Sequence, residues 1–193
     1  MTRTLYYTAT TLDGFLADEH NSLDWLFEVE GGEESGDFAT FFAGVGAMVM
    51  GATTYEWVVA HDDLVGSPEK WREWYGDTPC WVVTHRELTP IEGAVLTFTR
   101  GDVATFHGDV VAAAGGRDIW VVGGGDLAGQ FADRGLLDEV VVDVAPVTLG
   151  AGAPLLPRRL TASHLELMEV ERRGQFARLR YRLRRPAPEG HAG

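Results

Sequence analysis

Apolar and polar positions along the chain fall into short runs of β-branched and aromatic residues, each closed by a glycine or polar turn and most followed by a helical pattern. Leu5 to Thr10 reads as a first strand, and the Asp13-Gly14 pair after it is a turn signal. A short helix is expected from Leu23 to Val29, an acidic glycine-rich break from Gly31 to Gly36, and a helix from Asp37 to Ala43 with Asp37 as its N-cap. Ala47 to Met50 forms the next strand, Gly51 ends it, and Thr53 to Val59 starts a helix. His61 to Pro79 reads as a long polar loop whose Trp71, Trp74 and Tyr75 need a partner, with core packing the expected one.

Strands at Cys80 to Val83 and Ala94 to Thr97 precede a helix from Val103 to Ala114, then a strand-glycine-helix unit from Ile119 to Phe131 and a strand from Glu139 to Ala145. Pro146 to Pro157 is a proline and glycine loop, and His164 to Val170 with Phe176 to Arg184 makes an antiparallel hairpin around Arg173-Gly174-Gln175. These elements predict one α/β domain over residues 1–185, with a mixed, mostly parallel sheet closed by the hairpin, and a disordered tail over 186–193.

Composition narrows the function classes. With 193 residues and 45% hydrophobic content the chain can bury one full core, and no apolar run approaches bilayer-spanning length, so a cytoplasmic protein without a membrane partner is expected. The net charge of -13 argues against nucleic acid as a partner. Seven of the sixteen cations lie between Arg172 and Arg185, where Arg178, Arg180, Arg182 and Arg184 alternate with Leu179, Tyr181 and Leu183, which reads as a solvated face or a charge-guarded edge. The single cysteine, Cys80, sits in an apolar run and reads as a buried small hydrophobe. The six histidines show no paired spacing, so no metal site is expected.

The chemistry concentrates at Gly123, Gly124 and Gly125. A strand, a glycine turn and a helix start in that order make an anion site, because the missing Cβ atoms admit a phosphate and the first helical N–H groups point at it. Gly123-x-Gly125-x-x-Ala128 also satisfies the dinucleotide fingerprint of a doubly wound fold, with Asp143 near the place of its ribose acid. That fingerprint opens a fold, whereas here only one strand and a hairpin follow it.

The order of motifs resembles the dihydrofolate reductase-like superfamily, in the branch of the C-terminal reductase domain of riboflavin-biosynthesis proteins and its stand-alone bacterial relatives. The resemblance spans about Leu5 to Leu183 and implies a three-layer domain with a dihydrofolate reductase-like sheet, an NADPH cofactor (NADH possible), a small-molecule substrate and a homodimer. It rests on Thr11-Leu-Asp13-Gly14-Phe-Leu16-Ala17, where backbone at Ala9 and Leu16 would hold the nicotinamide carboxamide, and on Met50-Gly51-Ala52-Thr53-Thr54-Tyr55-Glu56, where Gly51 and Thr54 would bind pyrophosphate. Ala52 stands where the family carries an arginine for the 2′-phosphate; Thr84, His85 and Arg86 match the family's next cofactor loop and would compensate. Gly123 to Gly125 with Leu127 and Gln130 matches the pyrophosphate loop and helix, and Gly135 to Glu139 with Pro146 to Gly152 places the chain nearest the riboflavin branch.

The activity so implied is hydride transfer to a C=N or C=O group of a small heterocycle, as in 5-amino-6-(5-phosphoribosylamino)uracil reductase. Two acids are candidate proton sources. Asp37 lies near the pterin-binding acid of true dihydrofolate reductases, and Asp143 is the lone charge among Val140 to Ala145, on the face of Val141 and Ala145. Asp13 reads as a loop-shaping residue. Lys70 is the only lysine, so no cation set for a ribose phosphate is evident. Pterin reduction, a nucleotide-binding module without turnover, and an assembly module are the alternatives.

Overall fold

A computed structural model of the chain describes residues 2–30 and 35–184, with side chains from residue 38 onward in the second stretch. Ten strands and six helices occur among them. The elements that carry the sheet are β1 (Thr4–Thr11), β3 (Val45–Gly51), β4 (Cys80–Val83), β5 (Leu96–Thr99), β6 (Asp118–Gly123), β7 (Glu139–Ala145), β9 (Leu165–Arg173) and β10 (Phe176–Leu183). Their spatial order is β5-β4-β3-β6-β1-β7-β10-β9. The first six run parallel, and β10 and β9 add antiparallel. A second sheet pairs β2 (Phe15–Ala17) with β8 (Ala153–Pro154).

Two-residue alternation sends the strand side chains to two cores. On one face Tyr6, Ala47, Val49, Ile119, Val121, Val140 and Val142 pack against α5 (Val103–Ala114) and α6 (Gly125–Asp133). On the other, Met48, Met50, Val82 and Trp120 meet α2 (Ser35–Ala43), α3 (Ala52–His61) and α4 (Glu69–Tyr75). A third, smaller cluster joins Trp25 of α1 (Asp24–Phe27) to Ala145 and Phe176. The expected mostly parallel α/β sheet with its C-terminal hairpin is therefore present.

Several local expectations are corrected. Residues 61–79 are not all loop: α4 forms inside them and buries Trp71 fully, because Trp71 and Tyr75 share one helical face. Asp37 is the third residue of α2 rather than its N-cap. Its side chain lies outside the described residues, as does the tail over 186–193. The loop from Pro146 to Pro157 contains the short β8, and β5 sits two residues later than expected.

β10 is not an edge, since β9 flanks it, and its arginine face is solvated only toward the strand's end, where Arg182 and Arg184 are exposed while Arg178 is largely covered. Arg178 pairs with Asp143 at 2.7 Å, Arg180 with Glu139 at 2.6 Å, and Arg182 and Arg184 with Glu166. The carboxylates of β7 and β9 thus neutralise the row across the strands. Cys80 is fully buried, and burial pushes its thiol pKa far up, which leaves it a small hydrophobe.

Candidate active-site cleft

At the carboxyl ends of β1, β3, β4 and β6 the chain opens into a cleft of about 520 Å³, a usual size for a small-molecule site. Open parallel sheets place ligands there because the loops and helix starts converge at that end. One half of the cleft is made of backbone. Gly51 caps α3 and Gly124 caps α6, both in extended conformation, and no side chain occupies either cap. The first-turn N–H groups of two helices are therefore available to one ligand, with the positive ends of both dipoles facing it.

The glycines of this half are needed for different reasons. A Cβ on Gly125 would lie 2.2 Å from the Pro154 carbonyl oxygen and 2.4 Å from that of Leu155, so only glycine lets the β8 segment close over the start of α6. A Cβ on Gly123 would press on Thr54 Oγ1 at 3.1 Å, which shows how closely the two helix starts approach. The Gly123–Gly124 peptide bond is cis.

The other half is apolar, walled by Leu16, Ala17, Leu23, Trp25, Leu26 and Trp57. Both indoles are held. Trp25 is buried and its Nε1–H donates to the Leu16 carbonyl at 3.2 Å. Trp57 stacks on His61 with ring centroids 4.4 Å apart and on Phe27 at 6.5 Å. The loop over this half is fixed by Asp13, whose carboxylate accepts from Thr11 Oγ1 at 2.5 Å and from the Leu149 and Gly150 amides. Those bonds hold its pKa below the ordinary range, the Thr11 hydroxyl contributing most, and accord with the loop-shaping reading.

Of the residues picked out from sequence, Ala9, Leu16, Gly51, Thr54, His85, Gly123, Gly124, Gly125, Leu127 and Gln130 all line this one cleft. Thr84 and Arg86 do not. Thr84 is buried, and its Oγ1 accepts from the Arg86 amide at 2.9 Å and donates to the Arg86 carbonyl, shaping the loop. The Arg86 guanidinium pairs with Glu56 at 2.8 Å.

Asp143 is also absent from the cleft lining. Its oxygens accept from Arg178 Nε and Nη2, both at 2.7 Å, and from the Tyr7 hydroxyl at 2.9 Å. Burial and the neighbouring Asp143 push the Tyr7 phenol up, while Asp143 holds Arg178 more firmly protonated. With side-chain exposures of 14% and 15%, Arg178 and Asp143 form a largely covered, closed ion pair.

Three features escaped the sequence reading: the Trp25 and Trp57 walls, and the only acid among the described lining residues, Asp126. Asp126 stands in the first turn of α6, where it accepts from Gln130 Nε2 at 2.9 Å and pairs with Arg158 at 3.0 Å. Those contacts lower its pKa, Gln130 contributing most. Among the described residues no cluster of His, Cys, Asp and Glu could hold a metal ion, and no helix is long and apolar enough to cross a membrane.

Residues 109–177 match the RibD C-terminal domain family. Over 179 residues the chain is 30% identical to the uncharacterized protein YwjB of Bacillus subtilis, covering 93% of this chain and 97% of that one. The chain belongs to the RibD C-terminal domain family. Its fold superposes on a putative riboflavin biosynthesis protein from Shewanella sp. PV-4 with a TM-score of 0.77 at 23% identity, covering 95% of this chain and 100% of the other. A dihydrofolate reductase from Enterococcus faecalis, complexed with NADP(H), superposes with a TM-score of 0.57 at 14% identity over 94% of this chain and 96% of its own. The chain thus has the dihydrofolate reductase-like fold.

Proposed function

We propose that the chain is a nicotinamide-dinucleotide-dependent reductase that delivers hydride to a C=N or C=O carbon of a small heterocycle. The observation that carries this reading is the convergence of two uncapped helix starts, α3 and α6, on a cleft whose other half is an apolar wall that includes two indoles. A dinucleotide needs both: anion-binding amides for its pyrophosphate and an apolar place where nicotinamide meets substrate. Family membership and the NADP(H)-bound neighbour of the same fold support it.

In this reading Gly51, Thr54 and Gly123 to Gly125 hold the pyrophosphate, with Leu127 and Gln130 flanking it. Backbone at Ala9 and Leu16 holds the carboxamide, and His85 lies at the adenosine end, beside the Thr84 to Arg86 loop. When bound, a reduced nicotinamide supplies the hydride; the heteroatom of the substrate takes its proton from water or from a carboxylic acid. Asp37 is the acid proposed for that step. The walls position the substrate and exclude water, which strengthens every polar contact inside.

Titration with NADPH and with NADH, followed by tryptophan fluorescence, tests the reading, since Trp25 and Trp57 line the cleft. Saturable quenching by at least one is expected, and quenching by neither sinks the reductase. Oxidation of bound cofactor by substrate separates an enzyme from a nucleotide-binding module, and Asp37→Asn is expected to slow that oxidation more than it weakens binding. Sedimentation velocity checks the homodimer implied by the resemblance.

A further inference from the structure

The charges around the cleft are distributed unevenly. Its nucleotide half has arginines close by: Arg86 follows His85, Arg100 precedes Gly101 and Arg158 follows Pro157, all three neighbours being lining residues. The substrate half has none. Among the described residues Leu16, Ala17, Asn21, Leu23, Trp25, Leu26 and Trp57 form its wall without an arginine, a lysine or an acid. Arg158 is held by Asp126 at 3.0 Å and Asp133 at 2.7 Å, and the one lysine, Lys70, donates to the Asp62 carbonyl at 2.9 Å.

A phosphate placed against leucines and indoles would lose its water and, among the described lining residues, meet no guanidinium or ammonium. The wall favours the opposite kind of ligand. Trp25, almost fully buried, is fixed by its bond to the Leu16 carbonyl and the more exposed Trp57 by its stack with His61 and Phe27, so the apolar wall is already ordered and a flat ring laid against it costs little entropy.

We infer that the substrate is an uncharged, flat heteroaromatic compound without a phosphate group. The inference rests on the reductase reading above and narrows it. It separates this chain from reduction of a phosphoribosylated pyrimidine and points to the dephosphorylated ring, or one of like shape, as the group seated against this wall. Asn21 and the Thr8 hydroxyl are the uncharged polar groups of the lining that stand closest in sequence to this wall, available to the edge of such a ring.

The test uses the full chain saturated with whichever dinucleotide binds, and two pairs of probes that differ only in a phosphate. One pair is 5-amino-6-(ribosylamino)uracil and its 5′-phosphate; the other is 6-hydroxymethyl-7,8-dihydropterin and its monophosphate. Binding is read by tryptophan quenching and by calorimetry, turnover by loss of reduced-nicotinamide absorbance. The neutral member of at least one pair is expected to bind about tenfold more tightly than its phosphate, or better. Equal or tighter binding of the phosphates overturns the inference, and so does failure of both neutral members to bind. The prior cofactor titration keeps the two readings apart: failure of both dinucleotides refutes the reductase, whereas dinucleotide binding with a preference for phosphates refutes only the neutral substrate.

Discussion

The Arg86 guanidinium lies 2.8 Å from a carboxylate oxygen of Glu56, so the cation next to the lining residue His85 is engaged by an acid of α3 rather than turned into the cleft. Both side chains are about half exposed, at 53% and 42%, and such a pair is worth about 1 kcal/mol or less. It can open cheaply when a better anion arrives. Arg86→Ala is therefore expected to weaken NADPH about tenfold and NADH hardly at all, because only the former carries the extra phosphate. Glu56→Gln is expected to tighten NADPH by releasing Arg86. Equal effects on the two dinucleotides in a fluorescence titration would remove Arg86 from that role.

Asp143 and Arg178 call for a different experiment. Removing the charge of Asp143 strands a guanidinium that is 14% exposed and leaves Tyr7 with a changed partner. Asp143→Asn is expected to cost about 2–3 kcal/mol in urea unfolding while leaving dinucleotide affinity unchanged. Arg178→Met in the Asp143→Asn background should return part of that loss. A large fall in dinucleotide affinity with intact stability would place Asp143 in the site after all.

Two glycines predict opposite signs. Gly125→Ala drives a Cβ to 2.2 Å from backbone oxygen, which rigid β8 cannot yield, so a loss of about 3 kcal/mol or failure to fold is expected. Gly108 lies inside α5, and a methyl group added there would meet no atom within 4 Å, so Gly108→Ala should stabilise by about 0.5–1 kcal/mol. Thermal unfolding of the two variants side by side checks both.

Alkaline pH probes the core. Burial pushes the Tyr55 phenol from 10.0 up to about 12, and Tyr75 moves the same way to about 12. Below pH 10 folded and unfolded chains both keep these protons, and stability from this source is complete. Between pH 10 and about 12 the unfolded chain releases protons that the folded chain retains, so stability falls as pH rises. Tyr55→Phe loses the bond to the Thr89 carbonyl, about 1 kcal/mol at neutral pH, and its alkaline decline should be shallower. An unchanged slope in denaturant titrations would show that the Tyr55 hydroxyl is not protected.

The backbone half of the cleft was legible in the sequence because its signal is local. A β-branched run, a glycine and a helix start are contiguous at Met50 to Tyr55 and at Trp120 to Leu127, and both units lie where expected. The α4 signal was also local but weaker, since Trp71 and Tyr75 are four residues apart in an otherwise polar stretch opened by Pro68. What escaped was tertiary. Trp25 and Trp57 come from separate helices with no shared pattern, and nothing near Asp143 in sequence says that Arg178 will cross from the hairpin to claim it. A lone acid in an apolar strand marks a buried charge; the identity of its partner depends on the sheet order.

That order has a consequence for synthesis. Strand β1 lies between β6 and β7, with Thr4 opposite Ile119 and Ala9 opposite Asp143. The nascent chain therefore makes β1 long before either of the two strands that flank it. Until Ala145 has left the ribosome, the β7 edge of β1 is open and Ala9 lacks its neighbour strand. Chains stopped short of that point should be substrates for chaperones and proteases rather than smaller folded domains.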